Sequence, residues 1–155
     1  DGFEVRLVGP GDDLALIHAV AEVGFRNRGT ALGPAGVAEA EKVVSRGTDA
    51  TLLTTMHERL EAGLTVTAAV FDGAGDPVAV GAHQPLEATT EIVGVATLPA
   101  FRRRGLGMAL TSALVRDALM RNCPAVFLSA DDDEVAGVYE GVGFRRIGTA
   151  GSAEP

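Results

Sequence analysis

The sequence predicts an α/β domain with one mixed central sheet flanked by helices. Three observations predict it. Strand-like and helix-like stretches follow the order β, two or three helices, a meander of three strands, then α, β, α, β. The most regular helical stripe, Leu106, Leu110, Leu114 and Ala118, stands between the meander and a short apolar run. The chain has 155 residues, 46% of them apolar, which suits one domain with a core of its own.

Phe3 to Val8 alternates as a short strand, broken by Gly9-Pro10-Gly11. Asp12 or Asp13 can cap a helix whose apolar positions are Leu14, Ile17, Ala21 and Phe25. A glycine-rich stretch, Gly29 to Gly36, leads to a second helix over Val37 to Ser45. Asp49 can cap a third, with Leu53, Met56 and Leu60 on one side. Leu64 to Asp72 is rich in Val, Thr and Phe, as strands are. The turn Ala74-Gly75-Asp76-Pro77 and the run Val78 to Leu86 complete a hairpin. Glu91 to Leu98 is the third strand, ended by Pro99, which has no backbone N–H. Gly105 to Arg121 is the clearest helix, with Asn122 and Pro124 as its stop. Ala125 to Ala130 is a short strand. Asp131-Asp132-Asp133-Glu134 can cap a helix that runs to about Glu140, with Glu134 three residues after Asp131 as in a capping box. Gly143 to Ile147 reads as a last strand, and Gly148 to Pro155 as a frayed tail. The domain is expected over residues 1–150, with 151–155 as tail.

Composition narrows the function classes. A formal net charge of −8 argues against nucleic-acid and anionic-membrane partners, which want a basic face. It suits a cationic substrate, and equally an ordinary acidic surface. Cys123 is the sole cysteine, so no intrachain disulfide can form, and a reducing, cytoplasmic setting is expected. His18, His57 and His83 lack metal-ligand spacing and read as ordinary helix or strand residues, so no metal is expected. No apolar run has the length of a membrane span, and no stretch has the make-up of a signal peptide. A start at Asp1 rather than Met reads as a trimmed chain or a piece of a longer one.

The sharpest clue is Arg102-Arg103-Arg104-Gly105-Leu106-Gly107. Helix N-termini favour acidic residues, so three arginines before the best helix conflict with the local field. A bound anion resolves the conflict: backbone N–H groups point at it and the arginines neutralise it. Gly105 and Gly107 admit a bulky anion and permit positive φ. The alternative is three solvated arginines near a tolerated glycine turn. The run is not a dinucleotide fingerprint, because Leu110 stands where the third glycine belongs. Nor is it a Walker loop, because no Gly-Lys-Ser/Thr follows.

Val95-Ala96-Thr97-Leu98-Pro99-Ala100-Phe101 followed by Arg102-x-x-Gly105-x-Gly107 resembles the acetyl-CoA signature of the GNAT superfamily. Ala136, Tyr139 and Gly143-Phe144 are similar to that family's second signature. The resemblance covers Leu64 to Ile147 well, and the N-terminal third only in element order. It implies a GNAT-like fold and an N-acetyltransferase that moves an acetyl group from acetyl-CoA to a primary amine by direct transfer. It implies that Arg102, Arg103, Arg104, Gly105, Leu106 and Gly107 bind the cofactor's pyrophosphate. Val95, Ala96 and Thr97 are implied to hold the pantetheine arm along the third meander strand, where Gly94 suits a bulge or a core position.

The resemblance also assigns catalytic roles. Tyr139, the sole tyrosine, is the implied acid for the departing thiolate, with a packing tyrosine as the other reading. Glu91 is the implied base, or else an exposed residue at a strand start; alternation puts it on one face with Val93 and Val95. Asp133 replaces the family's frequent Asn, and a capping role is expected of it. The acceptor, a small-molecule or peptide amine, is implied to meet the stretch from Phe25 to Val37, which carries no readable signature. The competing function is a non-catalytic acyl-CoA-binding domain of a larger protein. The abrupt end after the last strand reads either as a short final strand or as a sheet edge completed by a neighbouring domain or chain, as in a homodimer.

Overall fold

The computed structural model describes residues 2–149. Strand β1 (Glu4–Leu7) is followed by three helices, α1 (Leu14–Arg26), α2 (Val37–Ser45) and α3 (Ala50–Glu61). The meander β2 (Val66–Phe71), β3 (Pro77–Leu86) and β4 (Thr89–Thr97) comes next. A single 3₁₀ turn (Pro99–Phe101), helix α4 (Leu106–Met120), strand β5 (Ala125–Phe127) and helix α5 (Asp133–Val142) complete the order. The five strands lie side by side in chain order, antiparallel except for the parallel pair β4–β5.

The sheet is covered on both faces, so β2, Thr67 apart, and the first half of β3 read as near-continuous apolar runs and are buried throughout most of their length. On one face α1 packs closely enough that a Cβ on Gly24 would stand 2.8 Å from that of Ala96. On the other, Leu110 and Leu114 of α4 press on Gly81, whose missing side chain makes room for them and for Val95. Ile17, Val20 and Val23 of α1 and Leu106, Leu110 and Leu114 of α4 join the strand side chains in one core.

Local signals explain the helix starts. Asp13 accepts from Leu16 N–H at 3.0 Å and caps α1. Asp12 instead accepts from Gly9 N–H at 2.7 Å and pairs with the Arg6 guanidinium, which holds its carboxyl below the usual range. Asp49 caps α3 as expected. Within the expected acidic run, the capping residue of α5 is Asp132, which accepts from Val135 N–H. Asp133 is the first residue of that helix and ion-pairs with Arg146 at 2.8 Å, so its expected capping role passes to its neighbour.

The last strand is a second correction. Gly143, with φ of +117°, ends α5 in a left-handed cap, but residues 144–149 form no strand. A strand needs a partner backbone. The sheet's last strand, β5, has only three residues, and none of the described residues pairs with its outer edge. Arg146 instead bridges Asp133 and Glu140, and Ile147 is almost wholly exposed. Most of the expected tail lies outside the described residues.

Candidate active site

The site begins where β4 and β5 part. They pair only from Thr89–Ala125 to Glu91–Phe127, after which β4 runs on to Thr97 without β5 beside it. Gly94 has φ of +63°, and Gly94 and Val95 together stand opposite Gly81 of β3. That is a β-bulge, which bends the strand and reverses the alternation beyond it. Glu91, Val93 and Ala96 therefore face α1, while Val95 and Thr97 face α4. The expected common face of Glu91 and Val95 is corrected by this one extra residue.

The opening is a cleft of about 760 Å³. Gly24 and Phe25 of α1 form one wall, Val95 to Thr97 its floor, and Val135, Val138 and Tyr139 of α5 the far wall. Glu91 does not line it. The carbonyl of Thr97 points to the free edge of β4, where it accepts from Arg102 Nε at 3.2 Å. Residues two apart on an extended strand turn their N–H and C=O to the same side, so Val95 presents an open pair to the cleft.

At the end of β4 the chain makes the turn into α4. Arg103 has φ of +63° and Gly105 φ of +74°, both left-handed, and the helix starts at Leu106. The first helical bond is Ala109 N–H to Gly105 C=O at 3.0 Å. No side chain caps this helix, and its first turn has no acidic residue. Among the described residues, the consecutive N–H groups from Arg103 to Met108 have no protein acceptor. Such a run of oriented donors at a helix N-terminus favours an anion over a cation.

The three arginines have three different surroundings. Arg102 turns its guanidinium inward: Nε donates to Thr97 C=O, Nη1 to Ala31 C=O at 3.2 Å, and Nη2 to Gly24 C=O at 3.1 Å and to Asn27 C=O. Burial lowers its pKa, yet a guanidinium remains charged. Arg104 lies over the rings of Phe101 and Phe3, 5.7 and 5.9 Å from their centroids, and does not line the cleft. Arg103 lines the cleft and has no hydrogen-bond or ionic partner among the described residues. Among the described residues, Arg103 is thus the one of the three whose charge is left unengaged in the cleft.

Tyr139 stands on α5, half-buried in the cleft wall, its ring edge-on to Phe144 at 6.2 Å. Burial raises its pKa, and the nearby Asp131 charge adds to the rise. The phenol is therefore held in its proton-bearing form. Thr30 hydrogen-bonds Glu134, tying the loop after α1 to α5 across the cleft mouth.

Sequence reasoning missed a buried chain of polar groups. His83, fully buried, has Nδ1 2.8 Å from Thr90 Oγ1 and Nε2 2.7 Å from Asp117 Oδ2, and Arg121 Nε donates to the same Asp117 oxygen. It joins β3, β4 and α4 beside the point where β4 and β5 separate. No local pattern links residues so far apart. Among the described residues no cluster of His, Cys, Asp or Glu could hold a metal ion, and no helix is long and apolar enough to cross a membrane.

Residues 37–144 match the Acetyltransferase (GNAT) family, and the chain belongs to that family of acyltransferases. A comparison with curated proteins gives no match. Solved structures share the fold over nearly the whole chain. The glucosamine-6-phosphate N-acetyltransferase of Arabidopsis thaliana superposes with a TM-score of 0.65 at 17% identity, covering 99% of each chain. An aminoglycoside acetyltransferase from an uncultured soil metagenomic sample gives 0.69 at 19% identity, covering 100% of this chain and 99% of that one. A predicted acetyltransferase of Clostridium acetobutylicum, solved with acetyl-CoA, gives 0.67 at 17%, covering 98% and 96%.

Proposed function

We propose that the chain is an N-acetyltransferase that moves the acetyl group of acetyl-CoA to a primary amine within a ternary complex. The observation that carries the reading is the run of free N–H groups from Arg103 to Met108, opening into the cleft that also holds the free edge of β4 and Tyr139. The pyrophosphate of the co-substrate suits those donors and the charge of Arg103. A pantetheine amide N–H suits the open C=O of Val95, as an added strand would, which leaves the Val95 N–H for the thioester carbonyl. Thr97 C=O is already engaged by Arg102, so Val95 is the principal main-chain anchor.

The chemistry follows from the groups present. The neutral amine attacks the thioester carbonyl carbon, and the C–N bond forms. The oxyanion that develops needs a donor, which Val95 N–H supplies. The C–S bond then breaks, the Tyr139 hydroxyl gives its proton to the leaving thiolate, and the surplus proton shed by the new amide nitrogen restores the phenol through solvent. The acceptor's ammonium must first lose a proton. Glu91 is the proposed base, working through water: it stands on the α1 face at the last residue of β4 that pairs with β5. Glucosamine-6-phosphate and aminoglycosides, named for two of the similar structures, are both amines, which supports an amine acceptor here. Acetyl-CoA and a lone buried cysteine agree with a cytoplasmic setting.

The test is calorimetric titration with acetyl-CoA, followed by a panel of amines. Micromolar binding is expected, weakened about tenfold or more by Arg103→Ala, as loss of a charge-assisted contact would do. A folded protein that binds no acetyl-CoA overturns the reading.

A further inference from the structure

We propose that Arg102 is a positioning residue for the acceptor side of the cleft: its guanidinium clamps the end of α1 and the following loop onto β4. The inference rests on the acetyltransferase reading for its catalytic consequence, but not for the clamp itself.

The four carbonyls that receive its N–H groups come from three places. Thr97 is the last residue of β4, Gly24 lies in the last turn of α1, and Asn27 and Ala31 belong to the cap and loop beyond. The last carbonyls of a helix have no partner within it, and a cation there also meets the negative end of the helix dipole. Arg102 thus supplies from a distant part of the chain the termination that α1 needs. The loop it holds contributes Arg28, Gly29 and Thr30 to the cleft wall. These residues are exposed or half-exposed, and few other bonds fix them: Gly33 N–H to Pro99 C=O at 3.2 Å, and Thr30 to Glu134. The backbone that leads into the anion turn and the side chain that sets the opposite wall therefore belong to one residue. A lysine carries the same charge but not the planar fork that reaches several carbonyls at once.

This role differs from neutralising the pyrophosphate, and the two are separable. In amide hydrogen exchange without ligand, Arg102→Lys should speed exchange from Asn27 to Gly33 about tenfold or more, as loss of even one net hydrogen bond implies, while β2 and β3 stay protected. In turnover, the variant should lose as much kcat/KM with acetyl-pantetheine, which has no pyrophosphate, as with acetyl-CoA. Unchanged loop exchange overturns the clamp. A loss confined to acetyl-CoA overturns the acceptor-side role in favour of a phosphate contact. Should the wild type turn over no amine, the acetyltransferase reading fails while the exchange result still decides the clamp. Should the variant unfold, the wild type decides by NMR: Arg102 Nε–H must exchange with water more slowly than Arg103 Nε–H, and equal rates overturn the proposal.

Discussion

His83 Nε2 lies 2.7 Å from Asp117 Oδ2 in a position fully shielded from water, with Thr90 on the ring's other nitrogen. The pair ties α4 to the middle of the sheet where the cleft starts. A buried polar group stripped of its partner costs about 1–3 kcal/mol, more if charged. His83→Leu should therefore cost roughly 2–4 kcal/mol, combining lost polar bonds with imperfect packing. Asp117→Ala should cost about 1–3 kcal/mol. The double variant should show a coupling above about 0.5 kcal/mol in urea unfolding, as contacting residues do. Strict additivity would mean that the contact contributes nothing.

Tyr139 can be watched alone, because the chain has one tyrosine and no tryptophan. Ultraviolet absorbance should show its ionisation midpoint above the usual value of about 10. Burial is the main cause, so Asp131→Asn should lower the midpoint only in part. Activity should persist on the alkaline side until the phenol ionises. Tyr139→Phe keeps the ring against Phe144 and should lower kcat by about 100-fold or more, with little change in acetyl-CoA affinity. An unchanged kcat would remove Tyr139 from the chemistry.

Two glycines separate folding from binding. A Cβ at Gly105 meets nothing within 4 Å, but φ of +74° disfavours any other residue. Gly105→Ala should cost about 1–2 kcal/mol of stability and weaken acetyl-CoA binding further, because the turn's N–H groups lose their aim. At Gly24 the objection is space: its new Cβ would press on Ala96. Gly24→Ala should cost about 1–3 kcal/mol by pushing α1 from β4. Thermal melts beside calorimetry distinguish the two; equal losses in both variants would contradict the anion turn.

Much of this was legible in the residues because the signals were local. Leu106, Leu110 and Leu114 announced α4, Asp13 and Asp49 marked helix starts, and Gly105 marked the left-handed turn ahead of α4. What was not legible depended on distance or on register. Nothing near Arg102 in sequence says that it will reach Gly24, Asn27 and Ala31, and nothing near His83 names Asp117. Gly94 was visible as a bulge candidate, yet only the pairing with Gly81 shows that the bulge forms and turns Val95 to the opposite face from Glu91. Gly143 to Ile147 had strand-like composition, but a strand is made by its partner, and β5 is too short to offer much of one.

Asp12 contributes to the acid limb of stability. Its hydrogen bonds from Arg6 and Gly9 depress its pKa in the fold. A depressed carboxylate adds stability above its unfolded pKa, about 3.9, and that stability is lost as pH falls through the lower folded value. Asp12→Asn should therefore be less stable than the wild type near neutrality, and the gap should close below pH ~4. Urea midpoints across that range test it, and a gap that ignores pH would assign the effect to something other than the Arg6 pairing.

Glu91 offers the most exposed part of the mechanism to attack. The bulge at Gly94 separates it from Val95, so it cannot lean over the same face as the proposed main-chain anchor. It can act only from the α1 side, on an amine that enters there, with water carrying the proton. Glu91→Gln is close in size and leaves the cleft lining intact. If Glu91 is the base, kcat should fall by about 100-fold, and the loss should shrink as pH rises, since a growing share of the amine then arrives already neutral. Acetyl-CoA affinity should stay constant, because no cofactor-facing atom has changed. A pH-rate profile that overlays the wild type would leave the amine to lose its proton directly to solvent, with Tyr139 as the sole side chain acting on the reacting atoms.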